Sequence, residues 1–345
     1  MRVRRVAGLR YRCCVETAIG EGPLKYAPWL GGEFRWRLGL RPLDLDDWVQ
    51  LGDDYAPQMA TKAAARADNP GTVFHSIPEA LPACNEVLDL LTAHLIRLWP
   101  DDFARVDREI CNHRTGERIG SDVHPLDAAG RLVQEDLMVL IPEDHSRYSH
   151  HSHHSHHSHA GQLVVGAGSV CLPNRWDLSS KLGRTLVEVH EPVSRLNEQV
   201  GDPIDKFFAR LTPDKSFWRV GWGVIDTPEL YQPLDGTAPD DPARGADHST
   251  EVRADDLYVR VERETVRRLP VTGGVLFTIR TYLTKASRVL AEAPVDGDRL
   301  AEAIAELPGD VRGYKQLDVC APALEDLFAG ARPTTTEKTQ ADQEL

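Results

Sequence analysis

A chain of 345 residues with 41% hydrophobic content and seven tryptophans can bury a sizeable core, as one large domain or two modest ones. Its formal charge of −13, and basic pieces that are short and interrupted ("MRVRR", "RVERETVRR"), argue against a nucleic-acid-binding surface. No apolar run approaches bilayer length, the basic start lacks the apolar segment of a secretory signal, and the six cysteines form no C-x-x-C pair. A cytoplasmic protein without its own zinc ribbon or iron–sulfur cluster is expected.

Residues 1–25 are basic and unpatterned and read as an extension; the packed body is expected over 26–330, and the Thr-rich 331–345 reads as a polar tail. From Glu33, "EFRWRLGLRPL" alternates apolar and charged residues like a strand ended by Pro42. Helices are expected next. "DLDDWVQLGDDYAPQMATKAAARA" opens with acids suited to a helix N-terminus, and "PEALPACNEVLDLLTAHLIRLWP" carries Val87, Leu88, Leu91, Leu95 and Leu98 at helical spacing before Pro100.

"EDLMVLIP" and "GQLVVGAGSVCLP" read as paired strands on either side of residues 144–160, a His/Ser tract that holds eight of the fourteen histidines. Between His150 and His159 no acid, cysteine or apolar residue fixes any ring in place. The tract therefore reads as a hairpin loop with adventitious affinity for transition metals. Further strands follow in "SFWRVGWGVID", "DLYVRVERETVRRLP" and "GGVLFTIRTYL", then helices in "DRLAEAIAEL" and "APALEDLFAG". Strands that succeed one another without helices pair antiparallel, which predicts an α+β fold with a central antiparallel sheet flanked by helices.

"VVGAGSVCLPNRW" begins like a dinucleotide fingerprint, but Cys171 replaces the third glycine and Pro173 interrupts the helix that would receive the phosphates. No phosphate-loop, zincin or G-x-S-x-G motif is present either. In "TLVEVHEPV", Val187 and Val189 alternate with Glu188 and His190 like the end of a strand. Glu191 is held extended by Pro192, so His190 ends an element and can face a pocket. An ordinary core or surface histidine is the other reading. In "YVRVERETVRRLP", Arg260, Glu262 and Glu264 fall on one strand face and Val261, Arg263 and Thr265 on the other. An arginine on the apolar side of a sheet must be paired internally or bind an anion.

Taken together, "FRWRLGLRPLDLDDW", "QEDLMVLI", "AGSVCLPNRWDLSSKLGRTLVEVHEPV", "FWRVGWGV", "RVERETVRRLPVTGGVLFTIRTYL" and "YKQL" resemble, in order and spacing, the haem-dependent oxidative N-demethylase alpha-subunit family, over roughly residues 26–318. The resemblance implies a PAS-like sheet that binds haem b and oxidises an N-methyl amine with dioxygen, releasing formaldehyde and the demethylated amine. It also implies electrons from NADPH through a separate flavin and iron–sulfur reductase, which suits a chain without those motifs. His190 would then be the axial iron ligand, with Cys171 its competitor. Arg263 and Arg280 would neutralise the propionates, and Arg219, Glu262 and Tyr282 would stand near the oxygen or the amine. Where relatives tend to read R-x-N-W, this chain has Arg219-Val220-Gly221-Trp222, which implies a larger cavity and a larger amine. A haem-binding sensor or carrier, and a haem oxygenase of specialised metabolism acting on another nitrogen compound, are the alternatives the resemblance leaves open.

Overall fold

The computed structural model describes residues 18–143, 162–191, 193, 195–234 and 252–331; the His/Ser tract and the tail from residue 332 lie outside them. Seven strands form one antiparallel sheet: β1 (Arg41–Pro42), β2 (Phe74–Ser76), β6 (Asp136–Pro142), β7 (Leu163–Ser169), β8 (Ser216–Ile225), β9 (Tyr258–Arg268) and β10 (Val275–Lys285). Their spatial order is β1-β8-β9-β10-β6-β7-β2. A small second sheet holds β3 (Phe103–Val106), β4 (Glu109–Asn112) and β5 (Glu117–Ile119). This is the expected α+β class with a central antiparallel sheet.

Strands β9 and β10 are the backbone of the sheet, eleven residues each and paired along their whole length. Their turn uses Gly273 at φ +71°, a left-handed conformation that suits glycine, and Glu86 accepts the exposed N–H groups of Val271 and Thr272 at 2.7 and 2.8 Å. Strands β6 and β7 pair up to Pro142 and Leu163, and Glu143 N–H continues the ladder to the Gln162 carbonyl at 2.8 Å.

Ten α-helices among the described residues surround the sheets: α1 (Tyr55–Asp68), α2 (Pro70–Val73), α3 (Leu81–Leu98), α4 (Pro125–Gly130), α5 (Leu186–Val189), α6 (Leu196–Arg210), α7 (Ala286–Glu292), α8 (Pro294–Glu306), α9 (Gly309–Tyr314) and α10 (Ala321–Ala331). None among the described residues is long and apolar enough to cross a membrane.

Register and side-chain alternation sort the sheet into two faces. One carries Trp218, Trp222, Val261, Arg263, Arg280 and Tyr282, and its apolar residues form two cores. Leu137, Val139 and Leu276 pack with α1, α3 and α4, while Val224, Val259 and Val261 pack with α7, α8 and α10. The opposite face carries Phe217, Arg219, Gly221, Gly223, Glu262, Glu264 and Phe277, and here α5 and α6 pack through Leu186, Val189 and Phe207.

Three local expectations are corrected. The strand expected from Glu33 is reduced to Arg41–Pro42, because Gly39 turns the chain at φ +64° and only these two residues reach β8. The helix expected from the acids after Pro42 starts at Tyr55: the N–H groups of Gln50 and Gly52 donate to the Glu135 and Gln134 side chains rather than to helix carbonyls. His190 follows a helical turn, not a strand. Thr185 and Glu188 form a reciprocal capping box at the start of α5, and this overrides the alternating apolar pattern. The described part of the expected N-terminal extension lies against the sheet, where Gly20 accepts the Lys285 N–H at 3.0 Å and Lys25 sits over the Tyr282 ring.

Candidate functional site

The last turn of α5 presents His190 with φ −94° and ψ 1°, a bridge conformation common among active-site residues. Its Nδ1 lies 2.8 Å from the Leu186 carbonyl oxygen, which can only accept, so Nδ1 carries the proton and Nε2 keeps its lone pair. Nε2 has no hydrogen-bond partner among the described residues. Desolvation, opposed by the Leu186 carbonyl and reinforced by the Arg219 charge, lowers the ring's pKa. A neutral imidazole with one nitrogen oriented by a carbonyl and the other bare is the donor an iron ligand requires.

Arg219 shares this surroundings with His190. Its Nε donates to Glu264 Oε2 at 2.5 Å, while 38% of its side chain remains accessible. Next along β9, Arg260 is fully buried and holds Glu262 at 2.8 Å, with further bonds to the Leu172 and Leu230 carbonyls. Gly221 lies opposite Glu262 and Gly223 opposite Arg260. A Cβ on Gly221 would meet only Glu264 Oε1, at 3.7 Å, and one on Gly223 would meet nothing within 4 Å. The sheet floor is therefore flat and open beside the two carboxylates.

From Arg219 onward the outer edge of β8 has no strand partner among the described residues, since β1 reaches only Trp218 and Phe217. The residue after α9 fills this gap: Lys315 Nζ donates to the Trp222 carbonyl at 2.5 Å. Tyr314 beside it is 53% exposed. Part-buried apolar groups, Leu182, Leu186, Val189, Phe217 and Phe277, complete the surface. The donor set fits a haem: a neutral imidazole oriented at one nitrogen, part-buried apolar neighbours, two glycines with open space at Cβ, and the part-exposed Arg219.

Of the expected site residues, His190, Arg219 and Glu262 share this face. Arg263, Arg280 and Tyr282 lie on the other face of the sheet. Arg263 is fully buried and bonds the Trp48 carbonyl and both the carbonyl and the carboxylate of Asp47. Arg280, also fully buried, bonds Gln58, Asp54 and the Thr281 carbonyl and stacks at 4.5 Å on Tyr282, whose hydroxyl donates to Gln50. Cys171 is fully buried, with its thiol pushed up to about 11 by desolvation. A thiolate there is disfavoured.

Sequence reading did not single out Lys315 or Tyr314, whose short "YKQL" stretch carries no chemistry of its own. Glu264 had a signal, because it shares strand parity with Glu262.

One face of an antiparallel sheet thus gathers an oriented histidine, two glycines without close neighbours and paired charges. The chain belongs to the haem-dependent oxidative N-demethylase, alpha subunit-like family, whose model matches residues 39–325.

Proposed function

We propose that this protein is the haem-carrying subunit of an oxidative N-demethylase and that His190 Nε2 is the axial ligand of a haem b. The observation that carries the proposal is the His190 ring itself, neutral, with Nδ1 committed to Leu186 and Nε2 bare. Bound there, haem would supply the iron at which dioxygen oxidises an N-methyl carbon, and formaldehyde and the demethylated amine would leave.

The chain's own part is positioning. The Leu186 carbonyl fixes the tautomer and the ring plane of His190, and desolvation with the nearby Arg219 charge keeps the ring unprotonated. Glu262, one oxygen of which is held by Arg260, offers a carboxylate to an amine N–H. The open floor at Gly221 and Gly223 supports an amine larger than dimethylamine. Tyr282, on the far face, would act only indirectly, through Arg280. An alpha-subunit-like chain calls for a partner. The partner proposed is a flavin and iron–sulfur reductase fed by NADPH, with the complex in the cytoplasm.

The test is an absorption spectrum of the purified protein, oxidised and dithionite-reduced with carbon monoxide, followed by formaldehyde release from a panel of secondary and tertiary methylamines with a surrogate donor. An imidazole-type Soret band that His190→Ala abolishes and Cys171→Ala leaves intact is expected, with formaldehyde in proportion to amine consumed. A thiolate-type band lost in Cys171→Ala moves the ligand. A haem protein that binds oxygen and releases no formaldehyde across the panel favours a sensor or another oxygenase.

A further inference from the structure

We infer that Arg219, on the His190 face, and Lys315, at the open edge of β8, form a carboxylate-binding pair. The inference rests on the haem reading and goes beyond it, because it moves anion recognition away from Arg263 and Arg280. A carboxylate needs donors that are accessible and not already consumed. Arg263 and Arg280 fail on both counts: both side chains are 0% exposed and each donates to protein oxygens on both terminal nitrogens.

Arg219 meets both conditions. Glu264 takes its Nε and thereby fixes the plane of the guanidinium, while its two terminal nitrogens have no hydrogen-bond partner among the described residues. An arginine oriented at one edge and free at the other is pre-organised for a bidentate oxyanion. Lys315 adds a point charge: one of its three donors goes to the Trp222 carbonyl, next to Gly221. The charges around it are matched in pairs, Arg219 with Glu264 and Arg260 with Glu262. Lys315 makes no ion pair within 4 Å among the described residues; Glu262 and Glu264 favour its charge from further off, while burial lowers its pKa. With two donors free of the Trp222 carbonyl and a pKa lowered by burial, Lys315 would gain charge and partners from an anion at this edge. The carboxylate comes either from a haem propionate or from an amine substrate that itself carries one, such as an N-methyl amino acid.

Haem and haem dimethyl ester, in which both propionates are esterified, are titrated separately into haem-free protein and followed at the Soret band. Wild type is expected to prefer the free acid by about tenfold, the order of one charge-assisted contact. Arg219→Met and Lys315→Met should each erode that preference without altering the imidazole-type band, and Lys315→Arg should retain it; circular dichroism confirms that each variant is folded. That outcome assigns the carboxylate to a propionate. If the preference survives in both variants but the spectral perturbation by N-methylglycine, measured against dimethylamine, is lost, the carboxylate is the substrate's. Variants that match wild type in both arms overturn the pair while leaving the haem reading intact. A wild type with no Soret band at all sinks both.

Discussion

Desolvation lowers the pKa of His94, His124 and His190, and at the first and last of these the consequences differ. At His190 it preserves a bare nitrogen over an open face, whereas His94 is shut inside the core, its ring 5.1 Å from that of Trp48 and 6.0 Å from that of Trp99, with Nε2 buried and unpartnered. Burial, aided by the charges of Arg97 and Arg267, pushes the His94 pKa down to about 4. The unfolded chain takes up this proton near pH 6.5 and the folded chain only near 4, so over that window the unfolded state binds more protons and stability rises with pH. Lowering the pH from 7.5 to 4.5 should therefore cost about 2 kcal/mol through this one residue. Urea unfolding at the two values measures it. His94→Leu should lose markedly less stability than wild type over the interval, and equal losses would show that the ring is protonated in the folded state.

At the scale of elements, the turn that carries His190 depends on four residues of local chemistry. Thr185 Oγ1 accepts the Glu188 N–H at 3.4 Å, and the Glu188 carboxylate accepts the Thr185 N–H at 2.8 Å. Removing such a cap costs about 1 kcal/mol, and if that loss falls on the seating of His190 it equals about fivefold in affinity. Thr185→Ala is expected to speed haem transfer to a scavenging apoprotein by about that factor while barely moving the melting temperature of the haem-free protein. An unchanged transfer rate would mean that the packing of Leu186 and Val189 alone holds the turn. The S/T-x-x-E signature of this cap was legible in the sequence, but it competed with an apolar alternation of equal length. The long strands and α3 were readable because their periodicity runs for ten residues or more and the flanking glycines and prolines agree with it. The Glu33 strand was not, since two residues of pairing with β8 leave no periodicity to read. For the site, strand parity separated Glu262 from Arg263. What it could not supply is which face α5 covers, or that α9 brings Lys315 round an unpaired edge. These placements arise from packing between separate segments, α5 on β7 and Lys315 on a carbonyl 93 residues away in sequence.

At the scale of the whole molecule, the sheet divides the chain's buried charge into a structural set and an exposed set. On the covered face Arg263 and Arg280 tie the segment from Asp47 to Gln58 down to the sheet, whereas Arg219 on the His190 face and Lys315 at the open edge of β8 keep free donors. The His/Ser tract belongs to neither set. The β6–β7 ladder already closes through Pro142–Leu163 and the Glu143-to-Gln162 hydrogen bond, and β6 stands on the β10 side of the sheet, with two strands between it and β8. Replacing residues 150–159 by a short Gly-Asn turn should therefore leave haem content and amine turnover nearly unchanged while abolishing retention on immobilised nickel. The comparison is made on haem-loaded protein, by Soret absorbance per polypeptide and formaldehyde per haem. Loss of turnover at unchanged haem content would place the tract's imidazoles in the reaction. Loss of haem with turnover per remaining haem preserved would show instead that the tract stabilises the loaded sheet.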